Sequence, residues 1–253
     1  MNHTRTTNAD LASESGLNNV ATPWLTRHKK PSQRSSWLTR RYEIKWLTPN
    51  QEIQARNTIG PAIPMFEDAF SAFARGSLVQ TPDGPVAVED LHPGMLIDTV
   101  DGDPQPLLWI GAMALLPASS HPDISVSHLY RIAEGSFGIS SGMPDLLLGS
   151  GARIMRSGVT GDPMARLIDI PDLCDGFSVI EVTPRSPARV FHLGMASHSL
   201  IQVNNVVTET YHPGLNPQMR LSEEMFQIFL SVFPHIRRLD DFGPLNHLRQ
   251  GQD

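Results

Sequence analysis

Cysteine is almost absent: the 253-residue chain has one, Cys174. That excludes an internal disulfide and any cysteine-rich zinc site. The residue is expected to pack as a small, partly buried hydrophobe. No window of about 18 apolar residues occurs, so no transmembrane helix is expected. The opening stretch MNHTRTTNADLASESG is polar, without the apolar segment of a secretory signal. Cytoplasmic residence is therefore the expectation. Charge is also sparse, at 18% of residues, and hydrophobic residues make up 40%. This is enough for one core, which at this length buries on the order of 70% of the unfolded chain's surface.

Turn formers are plentiful. Gly 19 and Pro 21 punctuate the chain, which favours many short strands over long helices. From Ser77 the strand-like runs SLVQT, VAVEDL, MLIDTV, PLLWIGAMALL, SVSHLYRIA, DLLLGSGARIM, ARLIDI, FSVIEV and ARVFHLGMA follow one another, cut by Gly, Pro and Asp. SLIQVNNVVTETYH closes the series. Its Asn204-Asn205 pair suits a two-residue hairpin turn, because Asn tolerates positive φ. The fold class read from this pattern is mostly β: a compact all-β domain over residues 64–213, a basic, partly disordered N-terminal extension over 1–63, and a helical tail over 214–253. The tail's helix, LSEEMFQIFLSVF, has Ser222 as N-cap and Glu223 and Glu224 in its first turn. Met225, Ile228, Phe229 and Val232, with Phe226 and Phe233 beside them, form its apolar face, and Pro234 marks its stop.

Charge is unevenly spread. Residues 1–57 hold nine Lys/Arg against four Asp/Glu, a net of +5; the remainder holds eleven against 22, a net of −11. WLT occurs three times in the basic part, at Trp24, Trp37 and Trp46, interleaved with Arg27, Lys29, Lys30, Arg40 and Arg41. One reading is an aromatic and cationic arm for an anionic surface or nucleic acid through Trp24, Arg27, Trp37 and Arg40. The plainer reading is an arm pinned to its own body by indole burial. The third copy favours the latter, since RYEIKWL alternates as a strand does.

Several motifs in order carry a family resemblance. AFARGSLVQTPDGPVAVEDLHPGMLI places Gly76-Ser77, Asp83-Gly84, Val88-Glu89-Asp90-Leu91 and Pro93-Gly94 in succession. PLLWIG, LLLGSGARIM and RVFHLGMASHSLIQVNNVVTETYHPG follow. Together these resemble the blocks of the Hint family, the fold shared by Hedgehog autoprocessing domains and inteins, and most closely its bacterial branch. The resemblance spans about 140 residues and implies a horseshoe-like all-β fold. It also implies chemistry in which a Cys attacks the preceding carbonyl to form a thioester. A Ser/Thr and a His on a neighbouring strand activate that bond.

The positions implied by the resemblance are degenerate here. The nucleophile falls on Ala72, the Ser/Thr on Gly149 and the His on Ala152. An intein ends in His-Asn, whereas this chain reads Tyr211-His212-Pro213-Gly214 and continues, which argues against splicing. The expectation is a Hint scaffold without self-cleavage that serves binding or assembly with a protein partner; oligomeric state is left open. The alternative is self-processing near Ser71/Ala72, with Ser71 as a weak candidate nucleophile and Ser150 as a poor activator. No cofactor and no metal are expected. His192 and His198, with Glu209 or His212 nearby, are the weak metal candidates, since six residues on a strand put two histidines on one face. DTVDG, Asp98 to Gly102, is best read as a strand-to-turn Asp pair.

Overall fold

The computed structural model describes residues 38–100, 102–117, 128–137, 139, 143–156 and 165–251. Trp24, Arg27, Lys29, Lys30 and Trp37 of the basic arm, and Asp101 of DTVDG, lie outside them.

Among the described residues sixteen strands run in chain order: β1 (Thr39–Leu47), β2 (Ile53–Pro61), β3 (Phe73–Ala74), β4 (Leu78–Val79), β5 (Val86–Ala87), β6 (Leu96–Thr99), β7 (Gly102–Pro106) and β8 (Trp109–Leu115) come first. β9 (Leu129–Ile132), β10 (Leu146–Gly149), β11 (Arg153–Met155), β12 (Leu167–Asp169), β13 (Val179–Val182), β14 (Ala188–Gly194), β15 (Leu200–Val203) and β16 (Val206–Glu209) complete them. Helix α1 (Pro64–Asp68) follows β2, and α2 (Glu223–Ser231) follows β16. The strands form two sheets. One has the order β13-β9-β10-β3-β14-β8-β1-β2; the other runs β12-β11-β16-β15-β4-β5, with β6 joined to β15 and β7 to β6. The chain is thus mostly β, with antiparallel pairing throughout both ladders. Among the described residues no helix is long and apolar enough to cross a membrane.

Local chemistry explains the joints. Asn204 and Asn205 turn β15 into β16 with φ of 47° and 66°, the pair of positive values a tight hairpin demands. Asn204 also accepts from Leu78 N–H through Oδ1 at 2.7 Å and donates from Nδ2 to Pro144 C=O at 3.0 Å. The turn residue therefore also anchors β4. Ser222 Oγ caps α2 by accepting from Met225 N–H at 3.3 Å. The helix face differs from the sequence pattern in one place. Phe229, Val232 and Phe233 are buried, but Ile228 is 36% exposed, because the stripe that meets the sheet is narrower than the run of apolar letters.

Among the described residues two strands, β1 and β2, lie before residue 64. RYEIKWL is indeed a strand, and it carries β2 as an added edge: β1 pairs with β8 on one side and β2 on the other. Arg40, a candidate for an outside anion, turns inward instead. Its Nε donates to Glu67 at 2.6 Å and its Nη1 to Ala114 C=O at 2.7 Å. Cys174 also departs from expectation: it is exposed. It caps a short 3-10 turn whose inward residue is Ile170, so its own side chain is left outside.

One apolar cluster holds Phe73, Val79, Leu148, Ile154 and Ile201. A second gathers Tyr42, Phe66, Phe70, Trp109, Phe229 and Phe233 around β1, β8 and both helices. Trp109 is fully buried and its indole N–H donates to Val232 C=O at 2.9 Å, fastening the end of α2 to β8. Gly111, two residues on, permits this packing. A Cβ there would lie 2.2 Å from Trp109 Cη2 and 2.6 Å from Phe70 Cδ1. Gly111→Ala is therefore expected to cost about 1–3 kcal/mol by overpacking. Gly102→Ala, which would meet nothing within 4 Å, is expected to change stability by less than about 0.5 kcal/mol. Urea unfolding of the two variants checks the contrast.

Candidate functional site

The residues that matter sit where three strands meet. β3 is short and lies between β10 and β14. Phe73 pairs with Leu148 on one side and Phe191 on the other. The antiparallel register thus brings Ala72 beside Gly149 and His192. Ala72 is fully buried, and its N–H donates to Phe191 C=O at 2.9 Å.

The second block forms a four-residue turn from β10 to β11. Ala152 N–H donates to Gly149 C=O at 3.1 Å and closes it. This turn grips the Ser71–Ala72 peptide. Gly151 N–H donates to Ser71 C=O at 2.8 Å, and Gly149 N–H donates to Ala72 C=O at 2.9 Å. There is no space for larger residues. A Cβ on Gly149 would lie 2.2 Å from Ser71 Oγ and 2.5 Å from Ser71 O; one on Gly151 would lie 2.3 Å from Asp68 O. Ala152 is buried in the core, and Ser150 is the exposed residue of the turn.

Ser71 is 1% exposed, and among the described residues its Oγ has no hydrogen-bond partner. An attacking serine needs a base at about 2.6–3.2 Å, and none holds this hydroxyl. His192, the imidazole at the register position beside Ala72, is not equipped for the task. Leu193 N–H donates to its Nδ1 at 3.0 Å, so the neutral ring carries its proton on Nε2. Burial pushes its pKa down to about 3.

The second group of candidates centres on Glu209, at the end of β16. The carboxylate is 2% exposed. Oε1 accepts from Arg153 Nη1 at 2.8 Å. Oε2 accepts from His198 Nε2 at 2.7 Å and from Arg249 Nε at 3.1 Å. Arg153 also pairs with Asp169, and Arg249 Nη2 donates to His212 C=O at 2.8 Å. Burial opposes ionisation of Glu209, but the His198 hydrogen bond and the two guanidinium groups outweigh it. The carboxyl is held far below the usual range. Burial also lowers the His198 pKa, with Glu209 pulling the other way. Asp68, close to Arg153 and Asp169, is pushed up to about 6, first by burial.

His192 Nδ1 accepts from a backbone amide, and His198 Nε2 bonds to Glu209. Among the described residues no three His, Cys, Asp or Glu side chains are grouped to hold a metal ion. An open cleft of about 340 Å³ lies beside the network, lined in part by Thr99, Asp103, Ser199, His198, Asn246 and His247. Sequence reasoning found Glu209, His198 and His212 but missed Arg153 and Arg249. A single arginine carries no local sign that a buried carboxylate far away in sequence will hold it.

The histidines set the pH response. Burial lowers His192 to about 3 and His212 and His235 to about 4, and it lowers His198 as well. The unfolded chain protonates them near pH 6.5 while the folded chain does not, so stability is full above that pH and falls as pH drops. Asp68 opposes one of them, since its raised pKa makes the folded chain keep a proton that the unfolded chain loses. His192, His212 and His235 less Asp68 make a net of two protons, a loss of roughly 3 kcal/mol per pH unit near pH 5, and His198 acts in the same direction. Urea midpoints at pH 7.5, 6 and 5 are expected to fall at each step, and less steeply in His192→Gln.

A comparison with curated proteins gives no match. The sequence model of the family described as Hint domain matches residues 71–215. That match covers more than half of the chain and opens at Ser71, whose carbonyl the turn between β10 and β11 holds: the chain belongs to the Hint domain family.

Proposed function

We propose that this Hint domain no longer cleaves its own chain and acts as a binding or assembly scaffold. One observation carries the reading. At the Ser71–Ala72 peptide a methyl group stands where the thiol is required, and the turn that would bring the activating side chains offers only backbone. Ser71 C=O and Ala72 N–H are both engaged in backbone hydrogen bonds, which leaves the linkage an ordinary, well-satisfied amide. Losing the nucleophile together with both activating groups removes covalent and acid-base contributions at once.

The competing reading, self-processing at Ser71/Ala72, has one observation in its favour: the buried Ser71 hydroxyl lacks a hydrogen-bond partner among the described residues. A buried hydroxyl without a base is a poor nucleophile, so the scaffold reading is preferred. An anion-binding arm has less support from Arg40, whose charge is already paired with Glu67.

The test is the intact mass of the purified chain after days at neutral pH, with and without a strong thiol. A single 27.9 kDa species is expected in both. A fragment beginning at Ser71 or Ala72 refutes the proposal and makes Ser71→Ala the next variant. Ala72→Cys alone is expected to release no fragment under the same thiol treatment, because a nucleophile without its acid and its polarising partner does not complete the site.

A further inference from the structure

The tail that follows α2 does not simply end on the surface. Exposure alternates along residues 244–250: Asn246, Leu248 and Gln250 face out, Leu245 and His247 are half-covered, and Arg249 is 3% exposed. That is the period of an extended strand. The segment meets β12, the terminal strand of the second sheet's path, at one isolated bridge. Leu167 N–H donates to Leu248 C=O at 2.9 Å, and Gln250 N–H donates to Leu167 C=O at 2.8 Å, forming a parallel bridge between Leu167 and Arg249. Asn246 Nδ2 donates to His198 C=O at 2.8 Å. The inward side chains meet prepared surroundings. The His247 ring stands edge-on to His198 at 5.3 Å, and the Arg249 guanidinium reaches Glu209 and His212 C=O.

Main-chain bonds to a sheet edge, with alternate side chains read by separate pockets, are the way one chain recognises another as an added strand. We propose that the edge of β12, Glu209 and His212 form a receptor groove for an extended peptide of the pattern His-x-Arg. In this chain, residues 247–249 fill that groove from within. The ionised Glu209 is the arginine-reading element, since a buried carboxylate demands a cationic partner. A segment tethered in cis competes at an effective concentration in the millimolar range, so a free peptide enters only when the tail is released. The groove is independent of whether the Ser71–Ala72 bond is cleaved.

A fluorescent peptide of residues 244–251, PLNHLRQG, tests this by anisotropy. The intact chain is expected to bind it at least tenfold more weakly than Arg249→Ala, and the same peptide with arginine replaced by alanine is expected to lose at least tenfold on that variant. Should Arg249→Ala not fold, a full chain with a specific protease site inserted between Gly243 and Pro244 decides the matter. After cutting, the labelled peptide is expected to exchange with the released segment while the circular dichroism of the body stays unchanged. Three results overturn the proposal: a cut chain that unfolds, a cut chain whose segment is never replaced, or equal binding of the arginine and alanine peptides. Any of them makes the tail a structural stitch and no receptor occupant.

Discussion

A single buried carboxylate organises the second half of the molecule. Taking Glu209 out of water costs several kcal/mol even after relaxation, and the cost is met by groups from three separate places. Arg153 comes from β11, His198 from the segment before β15, and Arg249 from the tail. Each must arrive in position for the others to be tolerable. Removing one partner of such a buried set costs about 3–5 kcal/mol, because the remaining charge is left uncompensated. The network thereby fixes how β11, β16 and the tail sit together, and through the turn before β11 it fixes the backbone around Ser71.

Close backbone contact dominates that turn. Gly149 and Gly151 allow the chain to approach Ser71 and Asp68 to distances that no Cβ permits. The amides of Gly151 and Gly149 then donate to the Ser71 and Ala72 carbonyls. Small residues at Ala72, Gly149, Gly151 and Ala152 are one packing solution, and substituting one of them alone would meet the others' constraints.

Much of the fold was legible because its signals are local. The Asn204-Asn205 hairpin and the Ser222 cap follow from residues a few positions apart. RYEIKWL betrays β1 because one face of it is buried, with Tyr42 and Ile44 inside. β2 was hidden for the opposite reason: IQARNTIGP is an edge strand, exposed along most of its length, so no alternation is imposed on it. The candidate site was legible only in part. The small residues at Ala72, Gly149 and Ala152 stand out against the family's blocks, and their mutual closeness follows from the β10, β3 and β14 pairing. The partners of Glu209 could not be foreseen, as Arg153 and Arg249 lie 56 and 40 residues away in sequence and only the three-dimensional path brings them together. Ile228 shows the converse, an apolar residue on a predicted face that the sheet is too narrow to cover.

The separation between Glu209 and Arg249 has a consequence for biosynthesis. A ribosome adds about 5–20 residues per second, so the 40 residues between them take on the order of 2–8 seconds to make. Throughout that interval the segment matched by the family, which ends at residue 215, exists without its second arginine. The nascent domain is held short of its final charge balance until a stretch beyond the family boundary has been translated. Completion of the charge network around Glu209 is thereby timed by a residue that the family's own sequence model does not include.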